Sequence, residues 1–259
     1  MKAADLFDLK TRVALVTGAS SGLGVQFARA LADNGAHVAL VARRAERLKA
    51  LKDEIEARGG KAVAIEADVT DRAAMSRAFD AAEKAFGTVT VLVNNAGIAM
   101  SPGRAVEVPE EEWRKVLSVD LDALFYWSQE GARRMLAAKK QGSIVNIASV
   151  LGLGVAKGVV AYAVAKAAVI QATKALALEL AFKGVRVNAI APGWFVTEIN
   201  DEYLNSEAGT AIKRDIPMGR FGAEGDLDGA LLLLASDAGS YLTGQTLVVD
   251  GGQVVQIKG

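Results

Sequence analysis

The sequence contains no cysteine, which excludes disulfides, thiolate metal sites and cysteine nucleophiles together. Its one histidine, His37, has no second histidine with which to build a zinc site, and any Ser-His-Asp hydrolysis would rest on that residue alone. Thirty Lys and Arg are balanced by thirty Asp and Glu, so the excess positive charge that marks most nucleic-acid binders is missing. No unbroken apolar run reaches the roughly eighteen residues of a membrane helix. Residues 1–10 alternate acidic, basic and apolar side chains and lack the apolar core of a signal peptide. These absences lead to the expectation of a soluble, cytoplasmic protein with no nucleic-acid or membrane partner.

What is present points to a large core. Of the 259 residues, 51% are hydrophobic and 23% charged, a balance that fits one globular domain spanning residues 1–259. Short β-branched runs at 13–17, 37–41, 62–67, 89–93, 143–147, 185–190 and 246–249 read as seven strands. Ala-, Leu- and charge-rich segments at 22–33, 45–58, 72–86, 110–138, 160–182 and 225–235 read as helices between them. A β-α rhythm with near-continuously apolar strands implies an α/β fold: a doubly wound parallel sheet with helices on both faces. Residues 194–222 break the rhythm with mixed polarity, glycines and Pro217. They follow the carboxyl end of a strand, where open α/β sheets bind ligands, and read as a mobile substrate lid.

Directly after the first strand stands Thr17-Gly18-Ala19-Ser20-Ser21-Gly22-Leu23-Gly24, with a helix starting inside it. Glycines permit close backbone approach, and the free amides and positive dipole of a helix amino terminus favour a pyrophosphate. Gly18, Ser20, Ser21, Gly22, Leu23 and Gly24 are therefore candidate phosphate-binding positions. No Lys-Ser/Thr pair follows as in a P-loop, which disfavours ATP hydrolysis. An NAD site commonly has a carboxylate at the end of the second strand; here that end reads Val41-Ala42-Arg43-Arg44. Two guanidiniums suit the 2′-phosphate of NADP, so NADP(H) is the favoured cofactor and NAD(H) the alternative. Asp68 can accept from an adenine amino group or cap the helix that begins near Asp71.

Tyr162 and Lys166 lie four residues apart on a helical stretch, on one face and within mutual reach. A phenol is a poor acid or base near neutrality, and an adjacent ammonium favours its phenolate, which suits such a pair to proton exchange with a hydroxyl or carbonyl. Ser149 closes a preceding strand at its carboxyl end, where a hydroxyl can bond a developing oxyanion or cap a turn. Leu151, Val155, Trp194 and Phe195, with Ser149, make a candidate apolar substrate wall.

In this order Thr17-Gly18-x-x-x-Gly22-x-Gly24, Asp68-Val69, Asn94-Asn95-Ala96-Gly97, Ser149, Tyr162-x-x-x-Lys166, Arg186-Val187-Asn188 and Pro192-Gly193 resemble the short-chain dehydrogenase/reductase family, from Leu9 to Gly252. Within it the chain is similar to 3-oxoacyl-carrier-protein reductases and gluconate dehydrogenases. The resemblance implies a single-domain Rossmann-type fold in which Tyr162 exchanges the proton and Ser149 orients the carbonyl. Lys166 would tune Tyr162 and hold the nicotinamide ribose. Asp68, Val69, Asn95, Ala96 and Gly97 would serve the adenosine side, while Pro192, Gly193, Val196 and Thr197 would bracket the nicotinamide and phosphate. Asn94 and Asn188 look like scaffold. A homotetramer is also implied, with the helices after Glu110 and Val160 between subunits.

One position departs from the family: Asp120 stands where an asparagine is usual and is given a place in a proton relay. If the relay uses the backbone carbonyl, Asp120 can substitute; if it uses the side chain, a carboxylate strengthens the charge on Lys166. The expected activity is hydride transfer between NADP(H) and a secondary alcohol or ketone, with no metal required. The rival reading is a non-catalytic binding protein that senses the dinucleotide; an adenosine-cofactor methyltransferase would have no use for the Tyr-Lys pair.

Overall fold

The computed structural model describes residues 2–99, 102–198 and 200–255. In chain order the elements are α1 (Ala3–Leu6), β1 (Val13–Thr17), α2 (Gly22–Asp33), β2 (His37–Ala42), α3 (Ala45–Ala57), β3 (Lys61–Glu66), α4 (Arg72–Phe86), β4 (Val91–Asn94), α5 (Glu110–Leu117), α6 (Leu124–Ala137), β5 (Gly142–Ile147), α7 (Val160–Leu180), β6 (Val185–Pro192), α8 (Asp201–Leu204), α9 (Glu207–Arg214), α10 (Asp228–Ala235) and β7 (Thr246–Val249). All seven strands are parallel, in the order β3-β2-β1-β4-β5-β6-β7. The expected doubly wound α/β sheet is observed.

Alternation along each strand sends neighbours to opposite faces. Ala14 and Val16 join Phe27 and Leu31 of α2, Leu48 and Ile55 of α3, and Leu231 and Leu234 of α10 in one buried cluster. Leu15 joins Met75 and Phe79 of α4, Trp127 and Met135 of α6, and Ala177 of α7 in the other. Both faces are thus covered, which is why β1, β4 and β5 are buried at every position. Asp71 caps α4 by accepting from the N–H groups of Ala73 and Ala74 at 2.8 and 3.1 Å.

Three expectations change. The helix expected over 110–138 is interrupted by a π-helical turn, Ser118–Ala123, between α5 and α6. Hydrophobic periodicity does not reveal one extra residue in a turn. The last helix starts at Asp228 rather than 225, because Gly225 takes φ +92° and the Asp226 carboxylate accepts from the Ala223 N–H, completing a turn first. Residues 194–222 hold α8 and α9 and close on themselves: Gly222 N–H donates to the Trp194 carbonyl at 2.8 Å and Val196 N–H to the Gly222 carbonyl at 3.2 Å. Ile199, within this segment, lies outside the described residues.

The stretch Val160–Lys183, with mean hydropathy 1.2, is long and apolar enough to cross a bilayer by length and composition, although charges interrupt its apolar run. Its own residues show a different use: Val169 and Ile170 pack with Ala189 and Ala191 of β6, and Lys166 is buried.

Candidate active site

The strand order changes direction between β1 and β4, and a switch point of this kind is where open α/β sheets leave a ligand cleft beyond the carboxyl ends of their strands. Thr17 stitches its floor. Its Oγ1 accepts from the N–H groups of Asn95 and Ala96 at 3.0 and 3.1 Å, and Asn95 Nδ2 donates back to the Thr17 carbonyl at 3.0 Å. Gly24, in the first turn of α2, lies so close to the preceding loop that a Cβ there would stand 2.3 Å from the Gly18 carbonyl oxygen. The loop is thereby held against the helix start, whose first N–H groups lack intrahelical partners. This is a cradle shaped for an anionic diphosphate.

Arg44 lies over that cradle. Its Nε and Nη2 donate to Ser20 Oγ at 3.1 and 2.9 Å, and Nη2 donates to Ser21 Oγ at 2.6 Å. Arg43 is exposed and faces Asp68 at 3.7 Å. Asp68 does not cap a helix. Its Oδ1 accepts from Thr70 N–H and Thr70 Oγ1 at 2.9 and 2.7 Å, contacts that with the nearby Arg43 charge hold its carboxyl below the usual range. The Val69 carbonyl is taken by Trp127 Nε1 at 3.0 Å. Leu23 packs against the core, leaving its backbone to the cradle.

From the other side comes the segment after β6. Gly193 N–H donates to the Val249 carbonyl at 3.0 Å after Pro192 ends the strand. The Thr197 side chain then sits over Gly22, where a Cβ would come within 3.3 Å of the Thr197 methyl. Half-exposed Val196 precedes it, and Arg47 of α3 bridges to Glu198 at 2.7 Å. The two sides of the cleft are thus brought together around Gly22.

Ser149 follows β5 in extended conformation, and its Oγ accepts from the Leu151 N–H at 3.1 Å. It caps the short turn and still has its own proton to donate. Gly152 backs onto α7: a Cβ there would lie 2.7 Å from the Lys166 carbonyl, so the Ser149 turn is pressed against the helix that carries Tyr162 and Lys166. Tyr162 is half-buried in the first turn of α7, and Lys166 Nζ lies 5.4 Å from the centre of its ring.

Lys166 is 4% exposed. Nζ donates to the Ile147 carbonyl at 3.1 Å and lies 3.1 Å from Asp120 Oδ2. Asp120, fully buried in the π-helical turn, accepts from the Ile98 N–H through Oδ1 at 2.8 Å. It is the side chain of Asp120 that reaches Lys166. Burial drives the ammonium towards neutrality, but the Asp120 carboxylate, helped by the neighbouring phenol oxygen, outweighs it and Lys166 stands above its ordinary value.

Of the expected substrate wall, Leu151 is half-buried, Val155 is exposed, and Trp194 is half-buried with its ring 6.2 Å from that of Tyr203. Phe195 is a correction. It is 5% exposed, belongs to the core cluster beneath the sheet edge, and its ring fills the space left by Gly222. The strand-like bridge to Gly222 turns its side chain inward while Trp194 stays at the rim.

A polar ladder under the site was not expected. Asn94 Nδ2 donates to Ser128 Oγ at 2.8 Å and to Asn146 Oδ1 at 2.9 Å; Asn146 Nδ2 donates to Thr173 Oγ1 at 2.9 Å. Asn94 and Asn146 are register partners on β4 and β5, so the ladder ties α6 and α7 to the strands that end at the site. The available signal was an asparagine inside each of two apolar strand runs. Asn188 does behave as scaffold: its Nδ2 donates to the Leu242 carbonyl at 2.8 Å, and its Oδ1 accepts from the Gln245 N–H at 3.0 Å.

A family profile described as enoyl-(acyl carrier protein) reductase matches residues 18–253. The chain is 42% identical over 251 residues to 3beta-hydroxysteroid dehydrogenase 1 of Eggerthella lenta, covering 96% of this chain and 95% of that one. It is 39% identical to a 3-oxoacyl-[acyl-carrier-protein] reductase of Staphylococcus aureus, over 93% and 98% of the two chains. The crystal structure of a gluconate 5-dehydrogenase from Burkholderia cenocepacia, in complex with NADP and tartrate, superimposes with TM-score 0.93 at 35% identity, covering 99% of this chain and 100% of that one. With the glycine cradle, the parallel sheet and the Tyr162-Lys166 pair in place, the chain belongs to the short-chain dehydrogenase/reductase family and is an NAD(P)-dependent oxidoreductase.

Proposed function

We propose that the protein interconverts a secondary alcohol and a ketone with NADP(H), using Tyr162 as the acid and base. The observation that carries this reading is the arrangement of Tyr162 and buried Lys166 on α7, with the Ser149 turn pressed against the same helix. The dinucleotide fits the cradle beside Gly18 and Gly24, where the close backbone approach leaves no room for side chains. Bound there, it supplies or accepts the hydride.

In the reducing direction the Tyr162 hydroxyl gives its proton to the substrate oxygen as negative charge develops there. Ser149 donates a hydrogen bond to the same oxygen, its Oγ being held in place by the Leu151 N–H. Lys166 holds positive charge next to the phenol and, as the family resemblance implies, meets the nicotinamide ribose. Oxidation runs the same proton backwards. Arg44, with Arg43 at its side, selects the 2′-phosphate of NADP, and Asp68, Val69, Asn95, Ala96 and Gly97 border the adenosine. Pro192, Gly193, Val196 and Thr197 border the nicotinamide and phosphate. Leu151, Val155 and Trp194 face the substrate.

Residues 1–259 are read as one catalytic domain with 194–222 as its substrate lid, in a soluble cytoplasmic protein. We assign it a homotetramer, supported by exposed Leu178 near the end of α7 and exposed Phe182 in the turn that follows it. Light scattering that returned a monomer at assay concentration would refute that assembly.

A panel of ketones assayed with NADPH and with NADH tests the activity. Turnover with NADPH preferred is the expected result. Tight dinucleotide binding with no turnover across a broad panel would instead favour a sensor.

A further inference from the structure

The carboxyl ends of the strands fall into two halves of different chemistry. After β1, β2 and β3 stand Ser20, Ser21, Arg44 and Asp68, whose polar atoms line the side read as the dinucleotide's. After β4, β5, β6 and β7 stand Val106, Leu153, Val155, Tyr203, Met218 and Val255, large apolar side chains that are 49–88% exposed. Apolar surface of this extent beside a reactive centre marks a place that another apolar body covers.

The four apolar segments are fastened to one another. β5 and β6 pair up to Ile147 and Ile190, and β6 and β7 up to Pro192 and Val249, so the chain leaves these strands side by side. Gly103 N–H donates to the Gly158 carbonyl at 3.0 Å, which docks the turn carrying Val106 against the loop from Ser149 to α7. Met218 N–H donates to the Gly251 carbonyl at 3.1 Å, which joins the end of the lid to the turn after β7. The Tyr203 ring lies 6.2 Å from that of Trp194. The charges nearest Val106 and Val255 in the chain are already engaged: Arg104 pairs with Glu107 at 3.2 Å, and the Asp250 carboxylate accepts from the Gly252 and Val254 N–H groups at 2.8 and 2.7 Å. Exposed Lys157, Glu202, Lys213 and Arg214 define the rival occupant, a polyhydroxylated acid.

A sugar acid gives up hydration at every hydroxyl and needs a polar partner for each. Residues 150–156, which follow Ser149 directly, have no polar side chain to offer. The segments after four neighbouring strands span three inter-strand spacings, about 14 Å, which a single six-membered ring would leave mostly bare. We propose that the substrate is a ketone, or its alcohol, on a bulky hydroxyl-poor carbon skeleton of two or more rings, seated on this apolar rim. The proposal rests on the alcohol–ketone reading for the reacting atoms and adds what surrounds them.

Initial rates of the full-length protein with NADPH, on decalone, cyclohexanone and ketogluconate, test this. The kcat/KM for decalone is expected to exceed that for either of the others by at least about tenfold, through KM, because the second ring buries further apolar surface. Parity with cyclohexanone, or a preference for ketogluconate, would overturn the proposal. Val106→Asp, at an exposed position, is expected to raise KM for decalone at least about fivefold and KM for cyclohexanone less. An unchanged KM for decalone would also overturn it. Calorimetry of decalol binding to the NADPH-bound protein reads the rim without turnover, and saturable binding with a negative heat-capacity change is expected. Such binding with no ketone turned over would refute the alcohol–ketone reading and leave the rim assignment standing; absence of both would refute both.

Discussion

Arg44 Nη2 donates to Ser21 Oγ at 2.6 Å, tying the end of β2 to the phosphate cradle after β1. The guanidinium also reaches Ser20, so its planar face of donors is already oriented before any 2′-phosphate arrives. Arg44→Ala is expected to weaken NADPH by about 2 kcal/mol, roughly thirtyfold, and NADH much less. Arg43, exposed beside Asp68, is expected to contribute less than Arg44. Dissociation constants for both cofactors check this; equal losses for NADPH and NADH would show that Arg44 does not read the phosphate.

The ladder through Asn94, Asn146 and Thr173 is buried throughout. Asn146→Ala strips a partner from Asn94 Nδ2 and from Thr173 Oγ1, and each buried group left unpaired costs about 1–3 kcal/mol. The urea unfolding midpoint is expected to fall. An unchanged midpoint would mean that the ladder adds nothing to stability.

Much of this framework was visible from residue pattern. The ends of β1, β7, α2 and α4 agree with the strand and helix patterns, because burial on both faces imposes apolar runs and the helices keep a 3.6-residue repeat. Tyr162, Lys166 and Ser149 stood out for their spacing and for strand-end position. Asp120 was harder. Its inward placement depends on a π-helical turn, and whether side chain or backbone meets Lys166 is a matter of geometry that composition does not encode. Phe195 was misplaced for a related reason: adjacent to Trp194 in sequence, it faces the core because the chain is extended there and bridges to Gly222. The ladder was missed since an asparagine within a strand reads only as a polar interruption until its register partner is known.

On α6, Glu130 accepts from Arg133 Nε and Nη2 at 2.9 and 2.7 Å and from Arg134 Nε at 2.6 Å. Arg133 first, then Arg134, hold its carboxyl below the ordinary 4.5 against the opposing effect of burial. A carboxylate depressed on folding contributes stability that is present above its unfolded value and lost as pH falls through its folded value. Thermal unfolding from neutral pH down through the carboxylate range is expected to show a steeper acid loss in the unaltered protein than in Glu130→Gln. Parallel acid limbs would remove Glu130 from the acid sensitivity.

The Tyr162 hydroxyl is assigned as the group that carries the proton. Tyr162→Phe removes one oxygen and leaves the ring beside Lys166 Nζ. Ketone reduction by this variant, measured together with NADPH affinity, checks that assignment. The expected result is a fall in kcat of about a hundredfold or more with cofactor affinity retained; turnover close to that of the unaltered protein would contradict it.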